Sequence, residues 1–512
     1  MDNYRIPRGA IKEGDVVNFR IGHVRVDKCI LHLIEDKTDT RTQSEMKYIN
    51  GSYALHSYLK KGLYWYFFEF IDGEEHTFTQ TYQLNVYDKN FRVPEWLKGG
   101  IIYHIFVDRF CRKGLIPFKK NSILRYDWND GIPFRTSDGG KTYCNDFFGG
   151  NLKGIISKLD YLKNLGVKCI YLSPIFDADS NHRYDANDHA KIDKLVGNKF
   201  ELWSLCKLAK RKGIYVILDI ALNHVGSSSK YFNDPKYDEW FTRYPDGTYD
   251  CWWNFPTLPS IKKDTPQSYK DHVTKTLQGW LKLGVKGFRL DVADELSNDL
   301  LKHIRTAVKA YDDDAVIFGE VWEDMSNKIA YGERKNYLEG DKLDSGMNYP
   351  FRNAILEFVK NGNKDLLVNT IETITTNYPD HVQHILMNML SSHDEIRMVT
   401  YLENDIKRIK LAILLQMTLI GCPCIYYGDE VGMEGEKDPY NRKPMKWENW
   451  NLEIYNFYLE CSNLRAKHEA LRVGEIKVLP SRNGTLKFER IFKNKVVTIF
   501  VDINKLTYEV IV

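Results

Sequence analysis

Two acidic residues and one basic residue stand where strand ends would bring them together. In GVKGFRLDVADEL, residues 284–296, an apolar run of strand character carries Arg289 and Asp291 two positions apart. Successive strand side chains point to opposite faces, so residues i and i+2 share one, and Arg289 and Asp291 are neighbours. Glu320 ends the next such run, AVIFGE. If the two runs are adjacent strands, about 5 Å apart, Asp291 and Glu320 present two carboxyl groups to one cavity. Carboxyls about 5 Å apart suit double displacement at an anomeric carbon: one attacks, and the other protonates the leaving oxygen and then activates water. The Arg289 guanidinium keeps its proton and favours the ionised form of Asp291 that attack needs. A carboxyl near another carboxylate in a partly dry site retains its proton, which makes Glu320 the donor. For Arg289 and Asp291 taken alone, a structural ion pair is the competing reading.

The surrounding pattern supplies the elements that would position these groups. From residue 100 onward, short apolar runs alternate with helix-like periodicity: IIYHIF, VKCIYLS, YVILDI, VKGFRLD, AVIFGE, LDSGMN, ILMNMLSS and PCIYYGD. Eight strand–helix units predict a (β/α)8 TIM barrel, a fold of α/β class whose site lies at the C-terminal strand ends. Asp219, Asp291, Glu320, Asn348, Asp394 and Asp429 all fall at or just past those ends. Any one of them alone reads as a helix N-cap; six together point to a site. The long interval from Asp219 to Asp291 holds a Pro-, Gly- and Trp-rich stretch, read as a small inserted subdomain over about 225–270. Residues 1–95 alternate short strand runs with turns and predict an N-terminal β-sandwich. The catalytic barrel then spans 96–465, and strand-like runs over 466–512 predict a short C-terminal β-domain.

Composition narrows the partners. The chain has 512 residues, enough for about three domains. Net charge is +3 with both signs interspersed, which argues against nucleic acid and against a membrane surface and favours neutral substrates. An aromatic share of 13% is high and fits stacking on sugar rings as well as large cores. Tyr64, Trp65 and Tyr66 read as core because a strand alternates faces. Nine cysteines show no zinc-like spacing and read as buried thiols. The first residues show no apolar signal segment, and the apolar run from Leu411 is broken by Gln416, Gly421 and Pro423, so the expected location is the cytoplasm.

Four segments, DIALNHVG around Asp219, GFRLDVADE around Asp291, GEVW around Glu320 and SSHDE around Asp394, resemble in order the signature segments of the α-amylase superfamily. The resemblance covers essentially the whole chain. It implies that Asp291 is the nucleophile, Glu320 the general acid and base, and Asp394 the third carboxylate that holds sugar hydroxyls. It implies that His224 and His393 hydrogen-bond those hydroxyls. SPIFDADSNHRYDANDHAKID and GMEGEKDPYNRKPM are similar to segments of neopullulanases, cyclomaltodextrinases and maltogenic amylases, and the junction YDKNFRVPEWLKGGIIYHIFVDRF resembles that of amylopullulanases. In that branch Tyr184 matches the platform under the cleaved sugar. Asp438 and Arg442 match residues gripping the non-reducing side, and Trp322 an aromatic residue on the leaving-group side.

The resemblance implies a retaining hydrolase of α-1,4 and some α-1,6 bonds in maltodextrins, cyclodextrins, pullulan or starch, with no organic cofactor. An α-glucosidase or glucanotransferase shares the same covalent intermediate and is the nearest alternative. A non-catalytic transporter-associated member would lack the carboxylates and carry a membrane anchor, and a glycan-binding role for the N-terminal domain is the third reading. Two departures stand out. Where relatives carry a calcium loop of the NGDxxND kind and a GGD, this chain has CRKGLIPFKK and GGN ending at Asn151, so no calcium is expected there. The flanking β-domains are also short, which leaves monomer and homodimer both open.

Overall fold

The computed structural model describes residues 4–22, 25–130, 133–134, 136–138 and 141–512, with side chains described outside 135–143. All eight apolar runs form strands of one parallel sheet. They are β1 (Ile101–Ile105), β2 (Val167–Leu172), β3 (Tyr215–Ile220), β4 (Gly287–Leu290), β5 (Val316–Gly319), β6 (Ser345–Gly346), β7 (Met387–Met389) and β8 (Cys422–Tyr426). Their order is β6-β5-β4-β3-β2-β1-β8-β7, and a parallel bridge between Met347 and Met387 closes the ring. Strands covered on both faces read as continuous apolar runs, and β1, β4, β5, β7 and β8 are buried at every position.

The register of β3, β4 and β5 sets the two key carboxyls. Ile220 pairs with Leu290 and Leu290 with Gly319, so Asp291 and Glu320 are each the first residue beyond the same rung. The backbone continues that rung: Asp291 N donates to Ile220 O and Glu320 N to Leu290 O, both at 3.0 Å. Gly287 opens β4 at φ +152°, and a Cβ there would lie 2.2 Å from the Val316 carbonyl of β5, so only glycine lets the strands approach this closely.

The helices follow from local chemistry. Asn198 caps α3 (Lys199–Arg211), accepting from Glu201 N while the Glu201 side chain returns to the Asn198 N–H, a capping box. On α5 (Asn298–Tyr311) the buried residues Leu300, Leu301, Ile304, Ala307 and Val308 recur at helical spacing and face the barrel. The set continues with α1 (Leu152–Ser157), α2 (Leu159–Asn164), α4 (Gln267–Lys282), α6 (Tyr349–Asn361), α7 (Lys364–Asn377), α8 (Ile406–Thr418) and α9 (Leu452–Lys467).

One of the eight expected strand–helix units departs from the pattern. The connection from β5 to β6 contains no helix, only a hairpin of Ile329–Ala330 with Glu333–Arg334. The N-terminal sheets fill that place. Gln83 Nε2 donates to Ser326 Oγ at 2.9 Å, Asn85 Nδ2 to Asn377 O at 2.8 Å, and Asp88 N to Glu339 O at 2.9 Å. Buried amides that must find partners thus bind the domain to the barrel wall.

Before β1 lie a four-stranded and a six-stranded sheet, with Val17, Phe19, Tyr66, Phe68 and Leu84 fully buried in their shared core. Tyr64 and Tyr66 are buried in it, while Trp65 faces the other way and donates to Asp36 Oδ1 at 2.8 Å. A four-stranded antiparallel sheet over Glu475–Ile511 ends the chain. The excursion after β3 holds a short helix, Lys230–Asn233, and isolated bridges such as His224 with Ser260 and Cys251 with Pro259 before α4 begins. A second, unanticipated excursion follows β2, where the hairpin of Phe176–Ala178 with Ala186–Ile192 carries Tyr184. Among the described residues no helix is long and apolar enough to cross a membrane, and all nine cysteines are free thiols.

Candidate active site

Arg289 lies at the centre of the barrel mouth, fully buried. Its Nη1 donates to Asp291 Oδ1 at 2.7 Å and to Asp219 Oδ1 at 2.9 Å, and its Nη2 is ion-paired with Glu320 Oε2 at 3.0 Å. Asp291 and Glu320 therefore meet the two terminal nitrogens of one planar guanidinium, Asp291 by a hydrogen bond and Glu320 by an ion pair, which brings both carboxyls to one side chain. Arg289 lies beside Asp291, as its spacing leads one to expect, and reaches two further carboxyls as well. From the middle strand of three, its side chain reaches the carboxyls that end all three.

Charge in this cluster is shared. Burial pushes the Asp291 carboxyl well above the usual carboxylate range, Arg289 pulls it down, and Glu320 and Asp219 add to the rise. Asp219 is raised by burial in the same way, against Arg289. Burial thus favours the neutral forms of Asp291 and Asp219, and the Arg289 guanidinium opposes it at both. Both oxygens of Glu320 accept N–H bonds, Oε2 from Val292 N at 2.7 Å and Oε1 from Trp322 Nε1 at 3.1 Å. These two N–H bonds orient the Glu320 carboxyl towards the barrel mouth.

The second group of expected residues gathers opposite, past β2, β7 and β8. Tyr184 Oη bonds Asp219 Oδ2 at 2.9 Å and His393 Nε2 at 2.6 Å, and its ring stacks on His393 at 5.3 Å and 14°. With Asp219 accepting, the Tyr184 hydroxyl donates to it and receives the His393 Nε2 proton. Burial, then His104 and Arg442, hold His393 well below its ordinary value, so it is neutral. His393 Nε2 also lies 3.1 Å from Asp394 Oδ2. Burial, followed by Glu320, pushes Asp394 up to about 7, against the pull of Arg442. Arg442 joins this group to the last loop: Nη1 pairs with Asp438 at 3.0 Å, Nη2 lies 3.5 Å from Asp394, and Nε donates to His393 O at 2.9 Å.

Two expected residues flank the rest. Trp322 is 39% exposed and stacks on Tyr349 at 3.8 Å and 11°, so one face packs while the indole N–H reaches Glu320. His224 is buried on the excursion side, its ring 5.5 Å from Trp252. Both of its ring nitrogens are buried without a side-chain partner, and burial pushes it down to about 4, so it offers a neutral donor and acceptor.

Of the six strand-end residues, two serve the fold. Asn348 caps α6, accepting from Phe351 N at 3.3 Å, and Asp429 is paired with the fully buried Arg397 at 2.9 Å. Tyr171 and His104 were not anticipated. Tyr171 Oη donates to Asp219 Oδ2 at 2.5 Å, and His104 stacks on Tyr171 at 4.1 Å and 15°. Their signal in the sequence is a polar ring inside an otherwise aliphatic strand run.

The model of the α-amylase catalytic domain matches residues 131–460. A cyclomaltodextrinase from a Bacillus species is 35% identical over 81% of this chain and 74% of its own length. The chain belongs to the α-amylase family. An amylopullulanase from Thermoanaerobacter thermohydrosulfuricus is 32% identical over 95% of this chain, which spans 40% of that relative. Among solved structures, a cyclomaltodextrinase superposes with a TM-score of 0.74 at 28% identity, covering 98% of this chain and 89% of that one.

Calcium, which the sequence compared with family members leads one not to expect after Phe110, was tested against the side chains at that place. Asn151 Nδ2 donates to the carbonyls of Lys113 and Gly149, at 3.1 and 3.3 Å, while its Oδ1 caps α1 through Gly154 N at 2.8 Å. Arg112 Nη1 occupies the carbonyls of Arg125 and Phe148, both at 3.2 Å, and Lys119 Nζ that of Ala178 at 2.5 Å. N–H donors and charged ammonium and guanidinium groups thus face these carbonyls, where a cation would need clustered oxygens.

Proposed function

We propose that the chain is a retaining α-glucan hydrolase that cleaves α-1,4 bonds, with some α-1,6 cleavage, in maltodextrins, cyclodextrins, pullulan or starch. The observation that carries this reading is the pair of carboxyls, Asp291 and Glu320, on the two arms of Arg289. Asp291 attacks the anomeric carbon as Glu320 protonates the departing oxygen, giving a glycosyl ester on Asp291. Glu320, now ionised, takes a proton from water, which attacks the ester and frees Asp291. The N–H bonds that Glu320 accepts suit the carboxylate it becomes in the second half. Asp394, His393 and His224 hold ring hydroxyls, Tyr184 stacks under the cleaved sugar, and Asp438 with Arg442 grip the non-reducing side.

Names among the relatives, cyclomaltodextrinase and amylopullulanase, support the substrate class. Transfer to a sugar acceptor shares the intermediate, and the half-exposed face of Trp322 beside Glu320 favours some of it. We extend the proposal to a reducing compartment, supported by the nine free thiols, and to calcium-independent action, supported by the N–H donors on the Asn151 loop. Product analysis on cyclodextrin, pullulan and soluble starch tests the function. Panose from pullulan would indicate α-1,4 cleavage, maltotriose α-1,6 cleavage, and inertness towards all three would reject the substrate class. Chelator treatment is expected to leave activity and Tm unchanged; a large loss of either would reject calcium independence.

A further inference from the structure

The hairpin that stands in place of a fifth barrel helix joins two features that the proposed chemistry leaves unused. One is an aromatic cluster around Glu295, four residues past Asp291. Trp252 and Trp253 both donate their indole N–H to Glu295 Oε1, at 2.9 and 2.8 Å. Lys263 lies over the Tyr331 ring at 5.6 Å and donates to Glu295 O at 2.5 Å. Large rings normally hide, yet Trp253 and Tyr331 are each 69% exposed. Both also adopt left-handed φ values, 45° and 52°, which bulky residues avoid unless their surroundings hold them.

The second feature is the anchor of that hairpin. Arg334 Nε and Nη2 donate to Asp36 Oδ2 and Oδ1 at 2.8 and 2.7 Å, a two-pronged pair linking the N-terminal sheet to the barrel. Trp65 Nε1 fixes Asp36 from within its own domain at 2.8 Å. Arg334 Nη1 bonds Asn327 O across the base of the hairpin.

The place of the cluster says what it would hold. Its loops follow β3, β4 and β5, whereas Asp438 and Arg442 follow β8, across the mouth. Trp252 is the step between the cluster and His224. Exposed aromatic faces with a carboxylate and an ammonium at their edge suit a pyranose, whose C–H face stacks while its hydroxyls bond. We propose that Trp253 and Tyr331 clamp a glucosyl unit on the leaving-group side, and that Asp36 of the N-terminal domain, acting through Arg334, positions Tyr331. The inference rests on the α-glucan reading above and assigns a subsite to it.

The test uses the full chain and maltooligosaccharides from maltotriose to maltoheptaose, with maltose as added acceptor. Tyr331→Ala is expected to lower kcat/KM on maltoheptaose about 5- to 10-fold, through KM, to flatten its dependence on chain length, and to reduce transfer to maltose. Tyr331→Phe keeps the ring and recovers most of the loss. Asp36→Ala lowers the same quantity, and the double variant is no worse than Tyr331→Ala alone, a coupling that a merely stabilising domain would not produce. Unchanged chain-length dependence in Tyr331→Ala overturns the clamp. Multiplying effects of the two substitutions overturn the positioning role, and Arg334→Gln tests the same link should Asp36→Ala not fold. Wild-type inertness towards every maltooligosaccharide would overturn the α-glucan reading, and the clamp with it, whereas loss of the clamp alone leaves hydrolysis in place.

Discussion

A single guanidinium meets three carboxyls at the mouth of the barrel. Removing a fully buried Arg289 would leave three carboxyls facing one another, so its part is as much to keep the site folded as to tune it. In the proposed reaction Glu320 acts at the reacting bond, and Glu320→Gln is expected to retain maltodextrin binding while kcat falls by about 10²- to 10⁴-fold; near-normal turnover, measured by reducing-sugar release, would remove Glu320 from the donor role. Asp291, Glu320 and Asp394 drew notice as members of a set of six polar residues at strand ends, and the histidines only through the resemblance of their segments to a known family. The reach of Arg289 was not legible. Residue spacing fixes which face a side chain leaves from, but a long, flexible one chooses its partners in three dimensions. Asn348 and Asp429 show the converse, since a capping asparagine and a paired aspartate look identical to catalytic ones in sequence.

At the scale of elements, the site depends on β4 and β5 lying close and in register. Gly287 enforces this through its contact with the Val316 carbonyl. Gly287→Ala is expected to destabilise the fold by about 1–3 kcal/mol, read as a lower Tm, and to depress kcat more than binding, because the new methyl pushes apart the strands that end in Asp291 and Glu320. Wild-type Tm and kcat would show that the strands yield without consequence. All eight strands were legible from their apolar runs, since a buried parallel sheet demands them. The missing fifth helix was not: its absence is a tertiary matter, in which the N-terminal sheets supply the covering that a helix would give. The excursion after β2 was hidden because its hairpin is irregular, with register shifts, and few of its residues are apolar.

At the scale of the whole molecule, the underside of the barrel meets the C-terminal sheet through buried cations. Arg490 of the sheet donates through Nη1 to Thr418 O at 2.6 Å, beside Arg465 of α9, whose Nη1 donates to Met417 O at 2.7 Å. Burial, then Arg490, Lys98 and Arg465, push His384 down to about 3. A histidine whose folded value lies below its unfolded one contributes stability in full above about pH 6.5, and that contribution is lost as pH falls towards 3. His384→Leu is therefore expected to lose less stability than the wild type between pH 7 and pH 4, by roughly a few kcal/mol, in denaturant titrations at each pH. Parallel slopes would show that His384 does not titrate across folding.

The central claim is that Asp291 and Glu320 divide a double displacement between them, and the glycosyl ester on Asp291 is its most direct mark. A fluorinated maltosyl fluoride slows release of that ester, so peptide mass spectrometry of the treated enzyme can locate it. The account predicts one added glycosyl mass on the peptide containing Asp291, formed by the wild type and absent from Asp291→Asn. Label on Glu320 or Asp394, or turnover of the reagent to the β-anomer with no label on any peptide, would contradict it.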